Sequence, residues 1–364
     1  MSNTPKYLSG RVAVFHGEGK PFELITAPVR NLRSGEILVQ TEYTTLCGSD
    51  IHTYCGRRQE PPHVVLGHEI VGKIVAIDST HSGDDYNGKK ISVGDRITWA
   101  IFVAPDGVAP PRIDIPQKSA HLFKYGHVLA QGDDVFSGGL ADYCILQSNT
   151  AVIKISNEVP VKVAATISCA HATIAGALRM AESVKGKKVL VFGVGLLGLS
   201  CLAMCKEGGA EWIGAVDTSH ERLTWAVQFG ASAKFIMADA KEDSSLPWPY
   251  ADVVFDLTGD ADAMGIGLDS LAVGGCAVWI GAVFPNKPVL VDAQKLVRKV
   301  LQIKGLHNYN YQDFTAATAF IEKHFAEYPF EAVIAKEFNL EQIEDAFAYA
   351  AEKKPVRVGV KISG

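Results

Sequence analysis

Between Lys188 and Gly198 an apolar run, Val189-Leu190-Val191-Phe192, passes straight into Gly193-Val194-Gly195-Leu196-Leu197-Gly198. No other segment narrows the possible folds as far. The apolar run predicts a buried strand, and Leu196–Glu207 a helix. Glycines at these spacings permit a tight turn, close approach of a pyrophosphate to the backbone, and close packing of helix on strand. The helix N-terminus then offers free N–H groups and a positive dipole end to the phosphates. Asp217 follows 19 residues after Gly198, at the end of the next expected strand. A carboxylate there accepts hydrogen bonds from an adenosine ribose and repels a 2′-phosphate, which selects NAD over NADP. Arg222 could weaken that preference or pack along the adenosine. The alternative is a Gly-rich turn between core elements, with a surface Asp.

The alternation continues on both sides. Val163–Ala181 has helical length and small apolar residues. Trp212–Val216, Ala233–Ile236, Asp252–Leu257, Ala277–Ile280 and Leu301–Gly305 read as strands, with Ser219–Phe229 as a helix. Strands alternating with helices predict an α/β domain, a doubly wound parallel sheet covered on both faces. Residues 10–150 differ. Arg11–Phe15, Glu36–Thr45, Glu69–Ile77 and Arg96–Ala100 are strand-like, and Gly, Pro and Asp turns separate them, which predicts a β-rich domain of barrel type. Residues 104–116 have no period and read as an irregular excursion. After residue 305 the order is helix, strand, helix, strand. Asn339 with Gln342 approaches a capping box, and Arg357–Ile362 is expected to return to the first domain.

A chain of 364 residues is too long for one hydrophobic core. Hydrophobic residues at 48% and charged residues at 21% argue against disorder. A net charge of -5 without a basic run makes nucleic acid and acidic membranes poor partners. Seven dispersed cysteines fit a reducing cytoplasm rather than a disulfide framework. The N-terminus lacks the pattern of a signal peptide, and Val189–Cys205 is short for a membrane span and broken by glycines.

Cys47, His68 and Cys169 offer two thiolates and an imidazole, a full protein ligand set for a zinc with one open position. Beside a nicotinamide site, such a zinc implies hydride chemistry on an alcohol or carbonyl. Their separation along the chain leaves another reading open. A lone buried Cys is usually a small hydrophobe, and a lone His usually satisfies its neighbours.

The local motifs resemble the zinc-dependent medium-chain dehydrogenase/reductase family of alcohol and polyol dehydrogenases. They are Cys47-Gly48-Ser49-Asp50-Ile51-His52, Gly67-His68-Glu69-Ile70-Val71-Gly72, Val93-Gly94-Asp95-Arg96, Cys169 with Thr173, and the glycine run with Asp217. The likeness covers nearly the whole chain. It implies a GroES-like β-barrel catalytic domain, residues 1–158 and 305–364, split around a Rossmann NAD-binding domain, residues 159–304. It implies Cys47, His68 and Cys169 as zinc ligands, Glu69 beside the metal, and Asp50 orienting the ligand histidine. It places Thr173 at the nicotinamide and Arg357 at the cofactor phosphates, alongside Gly193, Gly195, Leu197, Gly198, Asp217 and Arg222. Ser49 and His52 match a proton relay running from the substrate oxygen through Ser49 and the cofactor ribose to His52.

One departure stands out. Many relatives hold a structural zinc with four cysteines in the lobe matching residues 97–120, whereas this chain has no cysteine between Cys55 and Cys144. Ser119 stands where the last is expected, and His121 and His127 are too few to replace four thiolates. One catalytic zinc per chain, without a structural zinc, is therefore expected. The stretches His52–Arg58, Pro116–Lys118, Lys124–His127, Ser137–Gly139 and Ala170–Arg179 resemble a bacterial branch labelled phosphonate-catabolism-associated alcohol dehydrogenase, some members of which act on cyclitols.

The implied activity is hydride transfer between NAD and a secondary alcohol or polyol, with a cyclitol or hydroxyphosphonate among the candidates. A carbonyl reductase working in the other direction and a non-catalytic NAD-binding structural protein are the alternatives. A homodimer or homotetramer is expected. His307, Asn308 and Tyr309 are candidates to line the cleft. Arg57 and Arg58 either receive an anionic group of the substrate or form a solvated loop pair.

Overall fold

A computed structural model describes residues 8–105, 107–132, 134–239 and 246–363. The chain divides into two compact units. One comprises Met1–Cys169, Asn310–Phe325 and Phe330–Gly364, and the other Ala170–Tyr309 with Ala326–Pro329.

The first unit is built on a seven-stranded sheet. Its order is Ile334–Asn339, Arg357–Lys361, Ile37–Leu46, Glu69–Ile77, Arg96–Trp99 and Val152–Lys154, and Tyr143–Leu146 also pairs with Ile37–Leu46. All but the first of these pairings are antiparallel. The last strand of the chain sets Val358 opposite Leu46, so the C-terminus closes onto the strand that leads to Cys47. Alternating side chains bury Leu38, Leu46, Val358 and Val360 in one cluster and Ile37, Val39, Ile70 and Ile74 in another. The Asn339–Gln342 capping box forms and starts a turn that continues as the helix Ile343–Lys353. Between Val103 and Pro116 the described residues form no regular element.

In the second unit six strands run parallel. Their order is Ala233–Ile236, Trp212–Asp217, Lys188–Phe192, Ala251–Asp256, Leu271–Trp279 and Gln302–Gly305. In sequence terms this is 3-2-1-4-5-6, the doubly wound order of a Rossmann fold. The glycine run therefore lies where strand order reverses, and ligands of such sheets bind outside the strand ends at that point.

Two expectations are corrected. The single helix expected over Val163–Ala181 is instead the helix Val161–Ala165, a π-helical turn at Ile167–His171, and the helix Ala172–Met180. The helix Val161–Ala165 packs on the strands Ile37–Leu46 and Glu69–Ile77 and belongs to the first unit. The fifth parallel strand begins at Leu271 rather than Ala277, because a register irregularity between Ala251 and Val253 lets the earlier residues pair. Among the described residues no helix is long and apolar enough to cross a membrane.

Candidate active site

The strand Ile37–Leu46 delivers Cys47 to the N-cap of the helix Gly48–Tyr54. Asp50, three residues on, accepts a hydrogen bond from the Cys47 backbone N–H at 2.9 Å, which holds the turn. Gly67, at φ +88°, turns the chain into the strand Glu69–Ile77 and places His68 at its mouth. A side chain is unfavourable at that φ. Cys169 sits in the π-helical turn, a feature common at functional sites.

These three elements bring the expected ligands together. Cys47 Sγ and Cys169 Sγ are 4.0 Å apart. One ligand atom from each of Cys47, His68 and Cys169 falls within 4.8 Å of the others. Tetrahedral zinc with Zn–S bonds of about 2.3 Å sets two thiolates about 3.8 Å apart, so the residues fit the ion. Asp50 Oδ1 lies 3.3 Å from His68 Nδ1, the usual backing of a ligand histidine. On the other side of the ring, Ser49 Oγ lies 3.3 Å from Nε2.

The charge pattern also suits a cation. The hydrogen bond with Cys169 holds the Cys47 thiol well below its usual range, and Arg357 and His68 add to this against the cost of burial. The same hydrogen bond and burial push Cys169 well above its range. Burial works against a charged His68, but the charges of Asp50 and Cys47 outweigh it and raise the imidazole. These directions favour negative charge on Cys47 and positive charge on His68, and a divalent ion held there would compete with protons for the same donor atoms.

Glu69 is fully buried. Its Oε1 accepts from Arg357 Nη2 at 2.9 Å, and its other oxygen from the Thr45 hydroxyl. Burial pushes this carboxyl up to about 7, with Arg357 opposing. His52 is half-buried. Burial and then the charges of Arg57 and Arg58 hold it below the usual histidine range, with Cys47 opposing, which suits a neutral proton acceptor.

The three glycines of the run Gly193–Gly198 divide their labour. Gly193 has φ +93° and makes the turn. A Cβ on Gly198 would stand 2.0 Å from the Gly193 carbonyl oxygen, so only glycine lets the helix Leu196–Glu207 pack this close. A Cβ on Gly195 would meet nothing within 4 Å, which leaves the helix N-cap open to a phosphate. Asp217 accepts from the Val194 N–H at 2.6 Å and from the Ser219 N–H at 2.8 Å, fixing its carboxylate beside the turn. The Arg222 N–H is bound by Ser219, which caps the helix His220–Ala226. These features fit a dinucleotide.

The family model for an alcohol dehydrogenase GroES-like domain matches residues 33–157, and that for a zinc-binding dehydrogenase matches residues 193–323. The probable D-xylulose reductase A of Aspergillus clavatus is 28% identical over 335 residues, 87% of this chain and 86% of that protein. The D-arabitol-phosphate dehydrogenase of Enterococcus avium is 25% identical over 339 residues, 90% of each. An alcohol dehydrogenase structure from Thermotoga maritima superimposes with a TM-score of 0.87 at 23% identity, covering 97% of this chain and 99% of that one.

The chain belongs to the zinc-dependent medium-chain dehydrogenase/reductase family.

In this medium-chain dehydrogenase several expected residues have firmer or different placements. Arg357, expected at the cofactor phosphates, is buried in the first unit and commits Nη2 to Glu69 and Nη1 to the Leu46 carbonyl at 3.3 Å. Its Nε has no hydrogen-bond partner among the described residues. Thr173 is buried on the helix Ala172–Met180. Tyr309 is fully buried, so it serves the core rather than a cleft wall, whereas His307 is exposed. In the cysteine-free lobe, Ser119 Oγ donates to the Pro116 carbonyl at 2.8 Å, and Phe102–Val103 pairs with Phe123–Lys124.

The motif reading missed one neighbour of the metal centre. The ring of His127 lies 4.9 Å from that of His68, and its Nδ1 is 2.9 Å from Glu60 Oε1. Glu60 in turn pairs with Arg58 at 2.8 Å. The available signal was Gly126. At φ +80°, its Cβ would lie 2.6 Å from the Gly67 carbonyl oxygen, so this glycine packs the turn against the residue before His68.

Proposed function

We propose that this medium-chain dehydrogenase moves a hydride between NAD and a secondary alcohol or polyol, forming the ketone or aldehyde. The observation that carries the reading is the convergence of Cys47, His68 and Cys169, drawn from three separate elements. Zinc held by them would supply a Lewis acid for the substrate oxygen, lowering the pKa of the alcohol. Asp50 fixes the His68 ring from behind. Ser49, beside that ring, has a hydroxyl that both accepts and donates, so it takes the alcohol proton and passes it on. His52, kept neutral by burial and by Arg57 and Arg58, receives it at the edge of the site.

In the second unit the open N-cap at Gly195 takes the pyrophosphate, and Asp217 takes the ribose hydroxyls. The Asp217 charge supports NAD over NADP. The names of the two sequence relatives, a ketose reductase and a phosphorylated-pentitol dehydrogenase, support a polyol-type substrate. The reading includes one zinc per chain, a homodimer or homotetramer, and a cytoplasmic location suited to reduced thiols. The carbonyl-reducing direction uses the same residues.

The test is a panel of secondary alcohols and polyols with NAD, run on protein of known zinc content. NADH formation that disappears with the zinc supports the reading. No NADH formed from alcohols and none consumed with the matching carbonyls rejects it.

A further inference from the structure

Two segments of the first unit flank the metal ligand His68 and carry cations. One is the turn Lys124–His127. It is closed by the His127 N–H donating to the Lys124 carbonyl at 3.1 Å, and it packs through Gly126 against Gly67. The other is the loop after the helix Gly48–Tyr54. There the Arg57 and Arg58 N–H groups both donate to the His52 carbonyl, at 2.9 and 3.1 Å. The loop is thereby tied to the helix that carries Ser49 and His52.

The charges on these segments do not balance. Arg58 is paired with Glu60, and Glu60 is shared with His127, whose ring lies beside that of His68. Of the other carboxylates close by, Asp50 is committed to His68 and to the Cys47 N–H, and Glu18 lies against Gly56 on the Arg57 side of the loop. Lys124 is half-buried, and its ammonium makes no hydrogen bond or ion pair among the described residues. Burial first, then the charges of Lys118 and Arg58, hold its ammonium below the usual lysine range, and Glu60 offsets only part of this. A half-buried cation beside further cations and without a carboxylate of its own costs free energy unless an anion arrives.

The geometry points to a substrate alcohol that carries an oxyanion, a phosphate or a carboxylate, received by Lys124 and Arg58 while its hydroxyl lies at the Cys47–His68–Cys169 centre. The inference rests on the oxidoreductase reading and narrows its substrate class. The anion meets Lys124 as a point charge and the Arg58 guanidinium through its outer N–H groups. Glu60 keeps Arg58 and His127 in place, so the receiving groups are set before the substrate binds.

The experiment uses zinc-loaded full-length protein, its Lys124→Gln variant and its Lys124→Arg variant. Binding of inorganic phosphate and of acetate is measured by calorimetry. Turnover with NAD is measured for glycerol 3-phosphate against glycerol, and for lactate against propane-1,2-diol. The expected result is a preference in kcat/KM of roughly tenfold or more for the charged member of at least one pair, the scale of one charge-assisted contact. That ratio collapses in K124Q and survives in K124R. Phosphate or acetate binds the wild type and K124R, and binds K124Q at least several-fold more weakly. The phosphate and acetate arms identify which oxyanion the site takes. If neutral alcohols are oxidised while neither anion binds and no pair shows a preference, the inference is overturned and the oxidoreductase reading stands. If an anion binds in a Lys124-dependent way but no alcohol reduces NAD, the anion site stands and the oxidoreductase reading fails.

Discussion

Glu69 and Arg357, 288 positions apart, meet inside the first unit at 2.9 Å with both side chains buried. The contact ties the last strand of the chain to the residue directly after His68, a proposed metal ligand. Removing one partner of a buried pair leaves an uncompensated group, at a cost of about 3–5 kcal/mol. Arg357→Met should therefore lower the stability of the zinc-loaded protein by that order. Denaturant melts with an unchanged midpoint would remove the pair from the account.

The same carboxyl predicts a pH effect in metal-free protein. Its folded pKa, about 7, stands above the ordinary glutamate value of 4.5. A folded state that holds the proton more tightly is stabilised below pH 4.5, and it loses that contribution as pH rises through about 7. Glu69→Gln should flatten this part of the stability-against-pH curve relative to wild type. Parallel curves for the two proteins would show that Glu69 does not titrate in this window.

Metal content tests the ligand set. Elemental analysis should give one zinc per chain for the wild type and close to none for Cys47→Ala or Cys169→Ser, with loss of alcohol-dependent NADH formation. Two zincs per chain would reveal a second site despite the missing cysteines, and unchanged zinc in either variant would exclude that residue.

Ser49 stands 3.3 Å from His68, the proposed ligand histidine, and carries the proposed proton step. Ser49→Ala should reduce kcat by about a hundredfold or more while zinc content stays at the wild-type level. Transient kinetics should show the loss in proton release. A wild-type rate in this variant would place the proton elsewhere.

Cofactor choice turns on one charge. Asp217→Asn keeps an acceptor for the Val194 N–H but removes the charge a 2′-phosphate would meet. The ratio of kcat/KM for NAD over NADP should fall at least tenfold, since one charged contact accounts for roughly a factor of ten. An unmoved ratio would assign the preference to other residues.

The amino-acid order alone was enough for the parts of this protein governed by local rules. The strand at Lys188–Phe192, the glycines that turn it into a helix, and the Asn339–Gln342 cap follow from period, steric allowance and hydrogen-bond supply within a few residues. The site motifs were legible for the same reason. Cys47 and Asp50 are held by one turn, and Gly67 needs its positive φ to aim His68. Other features required the assembled chain. The helix expected through Val163–Ala181 is interrupted by the π-helical turn Ile167–His171, and its first segment packs on the strands Ile37–Leu46 and Glu69–Ile77. The pairing of Glu69 with Arg357, and the seating of His127 against His68, join residues whose separation along the chain carries no information about distance. Burial shifts the Glu69 carboxyl up and the Lys124 ammonium down, and burial is a property of the packed interior rather than of any short stretch of sequence.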